Sequence, residues 1–230
     1  MIYFNGIALE NIAPVDIIDV LVSPISMSPT ARERPVQFGS EFVRNGGGKR
    51  TVSITFALRT NDPDNRQKQL LNISAWAASD TPGQLLLPNH DGLYLTALCT
   101  GFPEPSIRQW WESKLRIAFT CFDPFWTSLT EKSAAAGSAF TPSGSAPPLT
   151  QIRGTVAARG STSFSNGAQT MTFTQIPSGN LVIDLDKQTA AVNGASIMQY
   201  YSLGSSFLVP RLGAQTITGI GTVYYRERWV

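Results

Sequence analysis

Three places in this sequence have residue types and spacing that could do chemistry: one histidine, one lysine in a glycine run, and one pair of near-adjacent aspartates. His90 is the only histidine in 230 residues, so any general base, triad member or imidazole metal ligand must be this one. It lies in Pro88-Asn89-His90-Asp91-Gly92, which reads as a tight turn between strands. No Cys, Glu or second His stands at ligand spacing, and no nucleophile elbow supports a triad. A solvated turn histidine is the expectation.

The run Asn45-Gly46-Gly47-Gly48-Lys49-Arg50-Thr51 has the composition of a phosphate cradle. Arg50, however, stands where Ser or Thr should bind magnesium, and the run leads into a strand rather than a helix. It reads as a flexible loop tip. Asp184 and Asp186 are two apart on a strand and point to one side, as a glycosidase pair would. Nothing beside them would raise a pKa, so a solvated face next to the Lys187-Gln188 turn is expected. No catalytic, cofactor-binding or metal-binding residue is assigned, and the chain reads as a non-enzyme without a cofactor.

Trp110, Trp111, Phe125 and Trp126 offer two other uses, stacking on sugar rings or filling a protein interface. All four precede the stretch that reads as a linker and lie outside the carboxy-terminal strands, which favours the interface.

The elements that must carry these residues are mostly strands. Charged residues are only 15% of the chain, against about 25% in an ordinary domain, which suits an ordered, β-rich protein. Residues 1–128 hold 11 Lys/Arg and 12 Asp/Glu, while residues 129–230 hold 7 and 4. Neither half has the basic run that would neutralise phosphates, so nucleic-acid binding is not expected. No apolar window spans a bilayer and the first residues lack a basic leader, so folding in a cytoplasm is expected. Cys99 and Cys121 fall near opposite ends of two paired strands and read as reduced core thiols.

Asn5-Gly6 signals a tight hairpin at the amino terminus. An apolar stretch, residues 15–22, precedes residues 24–50, which lack periodicity and read as a long loop or arm. Val52, Ile54, Phe56 and Leu58 then alternate as a strand. A helix over about 62–79 follows, capped by Asn61 or Asp62, with Pro63 in its first turn and Leu70, Ile73 and Ala77 on one face. Residues 93–99 and 115–121 alternate as two more strands. Residues 133–148, nearly all Ser, Ala, Gly, Thr and Pro, read as a linker. Short strands at 152–156, 171–176, 181–185, 190–192, 207–209 and 217–225 complete the pattern of an antiparallel sandwich. The fold class is mainly β: a first domain, 1–130, of strands plus one helix, and a second, 131–230, of linker plus sandwich.

Several stretches, in this order and spacing, resemble the distal tail proteins of siphophages and related prophages. They are residues 42–54, the Trp76 helix, Pro82-Gly83-Gln84-Leu85, Tyr94 and Phe119-Thr120-Cys121-Phe122-Asp123-Pro124-Phe125. After them come Gly179-Asn180-Leu181-Val182-Ile183-Asp184, Val192-Asn193-Gly194 and residues 213–218. The resemblance implies a virion protein whose first domain forms a ring, usually a hexamer, around the tail channel, with a galectin-like sandwich projecting outward. It implies contacts with the tail tube protein, the tape-measure protein and the tail-tip or receptor-binding proteins, and no membrane partner. Burying the arm against a neighbouring subunit would explain its apolar residues, which makes Val36, Phe38, Phe42, Val43, Arg44, Trp110 and Trp111 the expected subunit-contact residues. The alternative from another class is a carbohydrate-binding module or adhesin attached to a structural domain.

Overall fold

Asn5 and Gly6 adopt φ of 50° and 79°, the positive pair a type I′ turn requires. They close the hairpin of β1 (Tyr3–Phe4) and β2 (Ile7–Ala8). The computed structural model describes residues 1–26, 29–33, 40–44, 48–60, 62–102 and 114–230, with backbone alone for 29–33 and 40–44. It divides into two units, Met1–Trp126 and Thr127–Val230.

In the first unit, α1 (Leu9–Ile12) leads to β3 (Val15–Val22), then to β4 (Pro29–Glu33), β5 (Ser40–Arg44) and β6 (Arg50–Leu58). After α2 (Pro63–Ala77) come β7 (Gly83–Leu86), β8 (Leu93–Gly101) and β9 (Lys114–Ser128), which carries the chain across the division. The sheet runs β3-β6-β9-β8-β7-β1-β2. Along β6, Val52, Ile54, Phe56 and Leu58 are buried, opposite Phe119, Ile117 and Leu115 of β9. This is one face of a period-2 strand turned to the core.

Helix α2 starts where Asp62 accepts a hydrogen bond from the Asp64 amide, 3.2 Å, with Pro63 at its first position, as N-terminal propensities dictate. Asn61, the other cap candidate, lies outside the described residues. The helix buries Leu70, Ile73, Trp76 and Ala77, while Leu71 is exposed. Trp76 packs edge-on to Phe4 and Phe119 at 5.9 and 6.2 Å and donates its indole N–H to the Ile7 carbonyl at 3.0 Å. Phe4 and Phe119 are fully buried, each contributing about 1.5–3 kcal/mol by removal from water.

The segment read as a long loop or arm holds an antiparallel ribbon. β4 pairs with β5 from Pro29↔Arg44 to Glu33↔Ser40. Ladder bonds form between backbone groups and need no alternating side chains, which is why the pattern missed them. The root of the arm is fastened by backbone bonds from Ser23 to Thr51 and from Ser26 to Lys49, 2.8 and 3.0 Å.

The second unit contains β10 (Lys132–Ala135), β11 (Ala139–Phe140), β12 (Ala146–Val156), β13 (Gly160–Ser165), β14 (Thr170–Ile176), β15 (Gly179–Asp184), β16 (Thr189–Val192), β17 (Ala195–Ser196), β18 (Gln215–Thr216) and β19 (Thr222–Trp229). One sheet orders β17-β16-β15-β12-β19-β10, and the pairs β13-β14 and β11-β18 stand apart from it. Phe164, Met171 and Phe173 of the β13-β14 hairpin share a core with Ile152, Leu181, Ile183 and Val223 of the larger sheet. The whole chain is mainly β, as expected.

Two expectations change here. Residues 133–148 are not a linker, for β10, β11 and the start of β12 occupy them and Phe140 and Ala146 are buried. Small residues read as flexible but serve equally where a strand is pressed close. Residues 207–209 form no strand: Val209 gives its amide to the Gln169 side chain at 2.8 Å, and Leu208 is buried from an irregular segment. Gly219, at φ 139°, lies where a Cβ would sit 2.3 Å from the Phe164 ring, so glycine alone fits against that core residue.

Candidate assembly surface

Of the residues expected to make subunit contacts, Val36, Phe38, Trp110 and Trp111 lie outside the described residues. Phe42, Val43 and Arg44 fall on β5, opposite Ala31, Thr30 and Pro29 of β4. The ribbon therefore holds these three in consecutive register at the base of the arm.

The chemistry candidates turn out to be structural. Asp184 accepts from the Asp186 and Lys187 amides at 3.1 and 3.0 Å and from the Gln151 side chain at 3.0 Å. It caps the β15-β16 turn. Lys49 sits 5.0 Å from the centroid of the exposed Phe122 ring. His90 is half-buried and stacked on Trp126, ring centroids 4.0 Å apart, where a solvated turn residue was expected. The turn was legible, but its aromatic partner comes from β9, 36 residues away in sequence. Cys99 and Cys121 are free thiols, and burial, only partly offset by Arg50, pushes the Cys121 thiol up to about 11. Among the described residues, no three His, Cys, Asp or Glu side chains gather as a metal-ligand set, and no helix is long and apolar enough to cross a membrane.

Sequence reasoning missed two features of the first unit. The first is the edge strand β3, which among the described residues pairs only with β6. The register slips between Ile17 and Asp19, so Ile18 is an extra residue of a bulge, and Ile18 and Leu21 are 48% and 59% exposed. An edge strand with exposed apolar side chains is a place for another chain to add. The bulge and the charges of Asp16 and Asp19 blunt it. Asp16 is itself engaged by Arg59, whose hydrogen bond holds its carboxyl below the ordinary value.

The second is Arg50. It opens β6 in register with Cys121, on the same face as Val52, Ile54 and Phe56. A cation therefore continues a row of core hydrophobes. Arg50 is 5% exposed, and its guanidinium carbon lies 5.8 Å from the Trp126 ring centroid. Its Nε and Nη1 have no hydrogen-bond partner among the described residues. Burial lowers its pKa, and Cys121 works weakly the other way. The signal in the sequence was an arginine where the alternation calls for an apolar residue.

The second unit has a cavity of about 510 Å³ lined by Ser165, Asn166, Arg211, Gln215 and Thr218 among others. Its lining includes no aromatic ring. The Asn166 amide is spent on the Ala168 and Gln169 backbone and the Gln169 side chain, and that of Gln215 on the Arg211 backbone.

No family model matches the chain, and no curated protein matches it by sequence. Solved structures do. The Dit protein of phage SPP1, described as a paradigm of the hub adsorption apparatus in phages that infect Gram-positive bacteria, superposes with a TM-score of 0.76. That match is at 13% identity, over 100% of this chain and 98% of that one. The phage p2 baseplate in its activated conformation matches at a TM-score of 0.50, with strontium at 5% identity over 92% of this chain and 89% of that one. The calcium form matches at 0.50 and 6% identity, over 93% and 90%. The fold is that of phage distal tail and baseplate hub proteins, and the resemblance read from the sequence holds at the level of the fold.

Proposed function

We propose that this chain is a non-enzymatic virion protein of a long-tailed phage, a distal tail protein whose copies form a ring of six at the end of the tail. The ring joins the tail tube to the tip or baseplate that carries the adsorption apparatus. The observation that carries the reading is the likeness to the SPP1 hub protein over the whole length of both chains, first unit and second alike. The arm ribbon and the exposed edge of β3 supply surfaces for neighbouring copies, and the sandwich is the galectin-like domain of the resemblance. The tail tube, tape-measure and receptor-binding proteins are the partners that such a ring meets. A near-balanced count of charges in the first unit suits a channel that passes DNA without holding it.

Light scattering on the purified protein, with negative-stain images, tests the reading. A particle of six chain masses with a central hole is the expected result. A monomer at every concentration, with no ring on addition of tail tube protein, would sink it. The adhesin reading gains nothing from the sandwich cavity, which offers no aromatic platform for a sugar.

A further inference from the structure

Residues 129–230 carry 7 Lys/Arg and 4 Asp/Glu. All four carboxylates are taken: Glu131 by Arg153 and Arg226 at 2.9 and 3.9 Å, Asp184 by Lys187 at 3.9 Å, Asp186 by Arg228 at 3.7 Å, and Glu227 by Lys132 at 2.8 Å. Two cations are left over. Arg159 donates its Nε–H to the Gln175 carbonyl at 3.4 Å. Arg211 is exposed and lines the cavity of about 510 Å³, and its guanidinium has no partner among the described residues. The backbone that carries it is fixed, for the Gln215 side chain accepts from the Arg211 amide at 3.2 Å and donates to the Arg211 carbonyl at 2.9 Å. Another part of the lining, the Asn166-Gly167 turn, is held by Asn166 Oδ1 and Ser165 Oγ, and Ser165 and Thr218 exchange backbone bonds at 3.2 and 2.8 Å. The cavity is thus preformed beside a cation that lacks an anion.

We propose that this cavity binds a small organic carboxylate, with Arg211 gripping both of its oxygens. The planar fork of a guanidinium matches that pair of acceptors. A singly charged group fits because Arg211 is the one ionisable side chain among the described lining residues. A carbon body fits better than a bare ion, because Ala139, Leu212 and Ala214 line the same space. Its volume also falls within the roughly 300–1,000 Å³ of small-molecule sites. Thr216 adds a hydroxyl that is in no hydrogen bond among the described residues. Nothing in this inference requires the ring.

Saturation-transfer NMR on the full-length protein, with sodium butyrate as the probe, tests the site, and a ligand-detected signal reads a particle of any size. Butyrate should bind at millimolar concentration, and butyramide, its neutral isostere, should not. Arg211→Gln should weaken butyrate at least about tenfold, the loss of one charge-assisted pair, and leave Tm unchanged because the side chain is exposed. Arg159→Gln removes the same charge elsewhere in the unit and should bind like the wild type. Ala214→Phe fills the cavity while keeping Arg211, and should lose the binding as well. Silence from butyrate, or equal binding of butyramide, overturns the proposal. So does an Arg211→Gln variant that binds like the wild type, or one that melts well below it, since the arginine would then be engaged within its own chain. If Arg159→Gln weakens binding as much as Arg211→Gln, the signal is the net charge of the unit and the site is overturned. If Ala214→Phe binds like the wild type, the anion sits on a surface arginine and the cavity plays no part. Inorganic phosphate that displaces butyrate at a lower concentration than butyrate itself needs would overturn the carboxylate assignment. None of these outcomes touches the ring, which light scattering reads separately.

Discussion

Each unit buries a charged side chain at 5% exposure, Arg50 in the first and Glu227 in the second, and the two are treated in opposite ways. Glu227 receives Lys132 Nζ at 2.8 Å on both oxygens, and the Ser143 amide and hydroxyl at 2.9 and 2.7 Å. Burial alone would push its pKa up, but these donors outweigh it and hold the carboxyl below its ordinary value. Arg50 has an aromatic face and, among the described residues, no carboxylate partner. The second unit supplies the partners of Glu227 from within itself. The first holds its cation against a ring, with Nε and Nη1 unpartnered among the described residues.

The largest expected effect breaks the satisfied side of this contrast. Glu227→Ala takes the acceptor from two Ser143 donors, while the half-exposed Lys132 turns to water, and should cost the second unit about 1–3 kcal/mol. Urea unfolding followed by hydrogen-exchange mass spectrometry reads the two units separately. Loss confined to residues 127–230 is expected, whereas an equal loss in the first unit would mean that the two are not electrostatically self-contained.

The contrast was only partly legible in the sequence. Period-2 alternation revealed β6, β8, β9, β14, β15 and β16, and Asp62-Pro63 revealed α2, because each signal is local. The pairing of residues 133–148 was hidden, since Ser, Ala and Gly carry no alternation and their partners β18 and β19 lie some 75 or more residues on. Glu227 is one of several polar residues in Arg226-Glu227-Arg228, and nothing local distinguishes it from the solvated face. Its burial is decided by Lys132 and Ser143, 95 and 84 residues away. Arg50 was visible as an arginine in an apolar row but was absorbed into the glycine run before it. The seven expected contact residues rest on composition and resemblance.

A smaller effect comes from pH. The folded pKa of Glu227 lies below its ordinary 4.5, so the stability it contributes is present above that value and is lost as pH falls through the lowered folded pKa. Melting of the second unit should therefore be level from about pH 7 to 5 and decline toward about pH 3. In Glu227→Gln, part of that decline should vanish. If the variant keeps the full acid slope, other carboxylates carry it, and the Glu227 cluster is not the source of the unit's self-sufficiency.

The smallest effect touches no stability and probes the open charge directly. Cys121 lies in register with Arg50, and the cation draws its thiol pKa down while burial draws it further up, to about 11 against an ordinary 9.0. At about pH 8 its thiolate is therefore on the order of 100-fold scarcer than that of a free cysteine, and iodoacetamide should label it slowly. Cys99 is half-buried and also raised by burial, though a backbone hydrogen bond of Gly101 partly lowers it. Mass spectrometry of the labelled peptides should find Cys99 modified first. Arg50→Met should slow Cys121 further, because it removes the one influence that favours the thiolate. Equal Cys121 rates in Arg50→Met and the wild type would mean that the cation does not act on the thiol, and the contrast between the two buried charges would then lie in hydrogen bonding alone.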